Sequence, residues 1–421
     1  MGAEKSNSGW PRVRKFFNDV HLWLGLASGL IVIVVCFSGT VYVFNTELRE
    51  MSARHLYEVR VEKGAVPLSP DSIIVRVEKA IAGKVRSIKI PHDLERTWQV
   101  TVQKKGEAPV AGRRSMGTVY AVNPYTGIIV GNISEYSNGV TTFMRDMFSL
   151  HRWLLLDRVE EPIFGELANR TLGSYITGTA TILFTIGVLT GLVIWFPKKM
   201  KNWKQGLKIK WRANWKRLNH DLHNTLAFYS LIFLFLMGVT GPQWSFPWYR
   251  EGLQKTLGTW RAPDAPREKG PVSVLPDDRA SARTGVSAYL AAGNDVLAYD
   301  GDYTVTLPQD SVGTVMIAKT RTGFFAPVAA DRLILDQYSG RVLQKEIFRE
   351  KPLNERIAGS IKAIHLGDVY GTFTKILYFL ACLVATTLPV TGTLIWINKL
   401  KKKKKKKGAR ASRAEVAASV T

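Results

Sequence analysis

The stretch His220-Asp221-Leu222-His223 runs almost directly into the apolar segment Leu226–Gly241, and the reading of that junction decides the fold. The two imidazoles stand one helical turn apart at the mouth of a segment that, with its flanks, is long enough to cross a bilayer. Three more runs have the same character: Leu22–Phe44, Tyr175–Phe196 and Phe373–Ile397. About 20 helical residues span the roughly 30 Å hydrocarbon core, so the chain reads as a membrane protein with four crossings. The first run ends in Asn45-Thr46-Glu47 with no small-residue cleavage site and is read as a retained helix, not a removed signal peptide. An ionisable group at such a mouth is costly unless something is bound there. Histidines that merely face headgroups or water are the competing reading.

Charge distribution sets the orientation. Of the net +24 carried by 421 residues, segments 1–20, 197–217 and 398–421 account for +20, with 23 basic and 3 acidic groups. Four crossings put all three on one side, which the positive-inside rule makes cytoplasmic. The expected location is therefore a bacterial cytoplasmic (inner) membrane with both termini inside. Topology explains the basic charge, so no nucleic-acid partner is expected. The loop Lys198–Leu218, with Trp203, Trp211 and Trp215 interleaved, reads as an amphipathic helix lying on the lipid bilayer. Lys401–Lys407 reads as a disordered tail near anionic headgroups. Both cysteines, Cys36 and Cys382, lie inside apolar runs and read as packing residues; there is no C-x-x-C-H or C-x-x-C.

The division that follows has a cytoplasmic N-terminus and helix 1 over 1–47, then an exported α+β domain with an interfacial helix over 48–171. Helix 2 covers 172–197, a basic loop 198–219 and helix 3 220–245. A second exported α+β domain covers 246–364, helix 4 365–398 and a basic tail 399–421. In the first exported segment, Ser69-Pro-Asp starts a helix to Ile81. Arg86–Ile90, Trp98–Val102 and Thr118–Val122 alternate as strands, and Phe143–Asp157 suits an interfacial helix. In the second, Val286–Ala292 predicts a helix and Thr304–Leu307, Val315–Ala318 and Arg332–Leu335 predict strands.

The chain also matches itself. Val122-Asn-Pro-Tyr-Thr-Gly-Ile-Ile-Val130 parallels Leu335-Asp-Gln-Tyr-Ser-Gly-Arg-Val-Leu343, and Thr190-Gly-Leu-Val-Ile-Trp195 parallels Thr391-Gly-Thr-Leu-Ile-Trp396. His21 precedes Gly39 by eighteen residues, as His223 precedes Gly241. The fold class is thus an α-helical membrane protein, four transmembrane helices in two repeats, each with an exported α+β domain.

Under this repeat, His21 and His223 occupy equivalent cytoplasmic mouths, while His151 and His365 each precede an inward-running helix. His55 and His92 are left as solvated surface. Neutral imidazoles on facing helices are the common way to hold haem iron. Two such pairs, one near each face, predict two haems b, with His21 and His223 on the inner iron and His151 and His365 on the outer. Zinc would want carboxylate or thiolate partners close by, and a proton path would want acidic residues inside the helices. The sequence offers little of either. His220 stays open as a substitute ligand, an electron-donor or propionate contact, or a solvated residue.

His21-Leu-Trp-Leu-Gly, His151-Arg-Trp-Leu, Leu222-His223-Asn, His365-Leu-Gly-Asp-Val-Tyr-Gly and the two Thr-Gly-x-x-Ile-Trp endings together resemble the PepSY-associated transmembrane helix family, over roughly 10–398. The exported segments look like PepSY domains. Members include inner-membrane ferric-siderophore reductases with two haems b in four helices. The resemblance implies an oxidoreductase that passes electrons outward to reduce an Fe(III)-siderophore to Fe(II) in the periplasm. The chain has no G-x-G-x-x-G run, so its donor would be membrane quinol or a separate cytoplasmic reductase. Arg152 is a candidate propionate contact. Trp244, Trp248 and Tyr249 read as a membrane belt, with a substrate cleft as the alternative. A non-catalytic electron-transfer or sensory subunit is the competing function, and a transporter, hinted at by Pro389, is the third.

Overall fold

A computed structural model describes residues 10–104, 117–197, 200–266, 270–276 and 283–418. Helix α1 (Trp10–Tyr42) takes up the first apolar run, and short helices α2 (Asn45–Ser52) and α3 (Arg54–Tyr57) lead away from it. Helix α4 (Pro70–Ile81) starts as its sequence signal predicts: the Ser69 hydroxyl accepts the Ser72 N–H at 3.2 Å and Pro70 fills the first turn. Strands β1 (Gly83–Ile90), β2 (Trp98–Lys104), β3 (Thr118–Val122) and β4 (Ile129–Asn132) follow. Helix α5 (Gly139–Trp153) opens with a reciprocal capping box, in which Asn138 and Thr141 each accept the other's backbone N–H at 2.8 Å. Helix α6 (Asn169–Trp195) is the second long apolar helix.

The second half runs in a similar order, with one short helix where the first has α2 and α3. Helix α7 (Trp215–Thr240) starts at Asn214, whose side chain accepts the Arg217 N–H at 3.1 Å. After α8 (Pro247–Thr256) come α9 (Val286–Val296), β5 (Gly301–Thr306), β6 (Thr314–Arg321), β7 (Asp331–Asp336), β8 (Val342–Glu346), α10 (Leu353–Leu366) and α11 (Gly371–Ala418). Four helices, α1, α6, α7 and α11, are long and apolar enough to cross a membrane. Each of α1 and α7 packs against both α6 and α11. Helix ends are tied as well as faces: Arg14 on α1 donates to the Ile194 and Phe196 carbonyls at 2.9 and 3.0 Å, at the C-terminus of α6 where acceptors are left over. Pro389 within α11 sits against Gly29 of α1, where a Cβ would come within 3.1 Å of the proline ring. It serves helix packing.

The two segments between the long helices, separate in the sequence reading, share one antiparallel sheet of order β4-β3-β2-β1-β5-β6-β7-β8. Strands β1 and β5 pair at its centre, with Ser87 opposite Thr306 and Ile90 opposite Tyr303. Their pairing removes the two edges that separate half-sheets would expose. Ile73, Val77, Ile88, Val100, Val305, Ile317 and Leu333 form one continuous core between the sheet and α4 and α9. Asp71 of α4 crosses between the halves and caps α9, accepting from the Val286 and Ser287 N–H groups at 2.6 and 3.1 Å and from the Ser287 hydroxyl at 2.7 Å.

Three expectations change. Residues 200–214 hold no α-helix: Met200–Leu207 is a 3-10 stretch, Trp215–Leu218 already belong to α7, and Lys198 and Lys199 lie outside the described residues. Polar ties fold this segment onto α7, with Thr225 donating to the Gly206 carbonyl at 3.0 Å and Tyr229 to that of Leu207 at 3.1 Å. The lysine run is not a disordered tail but continues α11 to Ala418, in keeping with the good helix propensity of lysine. Helix 4 starts at Gly371 and not at residue 365, because Gly367 (φ 79°) and Gly371 (φ 60°) turn the chain between α10 and α11.

Candidate functional site

The structure brings four of the predicted histidines together in two pairs. His21 of α1 faces His223 of α7 with ring centres 6.3 Å apart and planes at 82°. His151 of α5 faces His365 of α10 at 6.2 Å and 60°. His21 stands near the start of α1. His151 packs on Gly39, eighteen residues further along that helix, so the pairs are about 27 Å apart along the bundle at 1.5 Å per residue.

Hydrogen bonds fix the tautomer of all four rings. His21 Nδ1 lies 2.9 Å from the Gly187 carbonyl, and His151 Nδ1 2.9 Å from that of Val35. A carbonyl only accepts, so each Nδ1 carries the proton. His223 Nδ1 lies 2.8 Å from Thr391 Oγ1 and His365 Nδ1 3.0 Å from Thr240 Oγ1. Both hydroxyls already donate to helix carbonyls, Thr391 to Thr387 at 3.0 Å and Thr240 to Leu236 at 2.6 Å, so they too accept from Nδ1–H. Every Nε2 is therefore left with its lone pair. Burial acts in the same sense at the outer pair, pushing His151 down and His365 down to about 3. That favours the neutral imidazole, the form that binds metals.

Each ring lies against a glycine. A Cβ on Gly191 or on Gly392 would stand 3.2 Å from Cε1 of His21 or His223. On Gly39 it would be 3.1 Å from His151 Cε1, and on Gly241 3.4 Å from His365 Cε1. These glycines form the other half of Thr-Gly or Ser-Gly pairs, so one dipeptide provides both the slot and, at three of the four sites, a hydroxyl beside Nδ1. At Ser38-Gly39 the Val35 carbonyl serves instead, and Ser38 donates to Val34.

The geometry suits a metal held between each pair. Two imidazoles that shared one metal through bonds of about 2 Å would have ring centres about 6 Å apart at most. Haem b is the group to test, and the donor set fits it: two neutral imidazoles per site, each with its second nitrogen tied. No group of three or more His, Cys, Asp or Glu among the described residues is arranged to hold a metal by side chains alone. Buried polar atoms without partners, Trp195 Nε1 and Asn219 Oδ1, lie within a turn or so of Gly191 and His223.

The outer pair opens into a cavity of about 1040 Å³ that also touches Cys36, Cys382, Arg152 and Trp244. Trp244 packs edge-on to His365 with centres 4.9 Å apart, and its carbonyl accepts from Arg152 at 3.2 Å. Of the aromatic belt residues, Trp244 therefore belongs to the site; Trp248 and Tyr249 do not line this cavity. His220 stays outside both pairs, its side chain 54% exposed with Nδ1 3.7 Å from Asp221, which pairs instead with Arg217 at 2.8 Å. His55 and His92 are exposed.

A family model, the PepSY-associated TM region, matches residues 19–399. No curated protein matches the chain.

Proposed function

This chain belongs to the PepSY-associated TM region family, and on that premise we propose that it is an oxidoreductase of the cytoplasmic membrane that holds two haems b and reduces ferric siderophores on the sheet side. The reading rests on one observation above all: two imidazole pairs at opposite ends of the bundle, each ring with Nδ1 tied and Nε2 free. His21 and His223 would hold the haem nearer the basic termini, and His151 and His365 the one nearer the sheet. Haem bound in this way supplies one-electron chemistry.

The remaining work falls to the protein. Thr190, Thr391 and Thr240 sit beside the Nδ1 atoms, where such contacts fix ring orientation and raise ligand basicity. The apolar helices α1, α6, α7 and α11 would keep water out of the space between the two levels. Trp244 and Arg152 border the outer site, whose cavity also reaches Arg332 of β7, and the substrate would enter from that side. Siderophores bind hard Fe(III) through oxygen and hold Fe(II) poorly, so one electron per iron weakens the chelate. Electrons would come from membrane quinol or a separate cytoplasmic reductase.

Visible spectra of the purified protein, oxidised and dithionite-reduced, test the cofactor, and addition of ferric siderophore to the reduced form tests the reaction. Haem bands that return to the oxidised form on addition are expected. Absence of haem bands overturns the reading, and bands that no siderophore reoxidises reduce it to electron transfer.

A further inference from the structure

The cavity at the outer histidine pair does not end there. It also touches α10 and the two ends of the β7–β8 hairpin, where Val328, Ala329 and Ala330 before β7 and Phe348 after β8 give it an apolar wall. Its charged lining is unbalanced. Arg152, Arg170, Arg332, Lys351 and Lys362 all line it, against only two carboxylates, Glu355 and Asp368. Lys351 is neutralised by Glu346 at 3.0 Å, but the other four cations have no ion pair among the described residues. Arg152 and Arg170 flank Trp153, at 6.0 and 4.1 Å from its ring. Arg332 is on β7, and Lys362 is on α10 one turn before His365, beside Asp368. Both cations line the cavity and are exposed to solvent.

We propose that this rim selects net-anionic ferric chelates, such as tricatecholates and hydroxycarboxylates, over cationic ones. The inference deepens the ferric-reductase reading and rests on it. A cleft lined by one sign of charge with low-dielectric walls concentrates ligands of the opposite sign, and a like charge brought to the same place is rejected. The apolar wall takes up the aromatic or hydrocarbon part of the chelate, while Arg332 and Lys362 meet its carboxylate or catecholate oxygens. A trihydroxamate that carries a free ammonium meets the same rim with the wrong sign.

Gallium(III) chelates separate recognition from redox chemistry, because gallium keeps the ligand geometry and takes up no electron. Titration calorimetry of the full-length detergent-purified protein compares gallium tricatecholate, gallium citrate and a cationic gallium trihydroxamate. The anionic chelates are expected to bind at least about tenfold tighter at low salt, the lower end of electrostatic focusing, with the gap narrowing at high salt. Arg332→Gln and Lys362→Gln should each weaken the anionic chelates several-fold, and Arg332→Lys should restore most of the loss. Unchanged haem and circular-dichroism spectra in these variants show that the fold and cofactor sites are intact. Equal affinity for both charges, or tighter binding of the cationic chelate, overturns the charge inference and leaves ferric reduction standing. If no gallium chelate binds, the rim is not a recognition site, and reoxidation of the reduced protein by the matching ferric chelates decides separately whether the reductase reading survives.

Discussion

His223 donates its Nδ1–H to Thr391 Oγ1 at 2.8 Å, across the contact between α7 and α11. Removing the hydroxyl while keeping the shape, as in Thr391→Val, leaves a buried N–H without its acceptor. Loss of such a contact typically weakens a metal site by about 10- to 100-fold. The expected result is selective loss of the haem nearer the basic termini, or a shifted potential for it, in a spectrally monitored redox titration. Thr240→Val should do the same at the other end. A change that reached both haems equally would point to misfolding.

The ligand residues themselves divide the spectrum. His223→Ala should cost the inner haem and His365→Ala the outer, each leaving about half the pigment by pyridine-haemochrome assay, as expected if each site depends on its own pair. His220→Ala should leave both in place, because His220 is exposed and lies beside Asp221 instead of His21. Haem loss in that variant would make it a ligand after all.

The glycine slots make a steric prediction. A Cβ on Gly39 would stand 3.1 Å from His151 Cε1 and 3.5 Å from Cys382 Sγ. Gly39→Val should push the His151 ring out of line and cost the outer haem while the inner band persists. Gly25, with open space around its Cβ position, is the control, and Gly25→Ala should change neither band.

Asp71 carries a pH dependence. Burial alone would raise its pKa, but the hydrogen bonds from Ser287 and Val286 prevail and hold it below the ordinary 3.8. A carboxylate depressed by folding contributes stability above its unfolded pKa, and that contribution fades as pH falls through the folded value. Asp71→Ala should cost about 1 kcal/mol at neutral pH, the usual worth of a helix cap, and the penalty should shrink below about pH 4. Thermal melts of wild type and variant across that range check it. A penalty that stayed constant down to pH 2 would show that the side chain acts by packing.

Much of this was legible in the residues. Apolar length marked the four long helices, and alternation marked β1, β2, β3, β5, β6 and β7 to within a few positions. Strands β4 and β8 escaped because neither has a fully buried position, so period-two alternation is absent. The β1–β5 pairing escaped for another reason: nothing in Ser87–Ile90 names Tyr303–Thr306 as its partner. His151 and His365 stood out as residues shortly before membrane helices, but their place on separate helices, α5 and α10, depends on turns at Leu154 and Gly367 in left-handed conformation. The Thr-Gly dipeptides were visible as a repeat, whereas their use as hydroxyl and slot needed the ring positions. Trp244 carried no signal that set it apart from Trp248.

The central pairing of β1 with β5 also orders events during synthesis. Strand β1 is made early, yet its partner emerges only after the second and third long helices have followed. Until then the first four strands present an open edge in the middle of what will become the sheet, and such edges recruit other chains. A nascent chain stalled between α7 and β5 is thus a half-finished template, and the cell has reason to finish it or destroy it quickly.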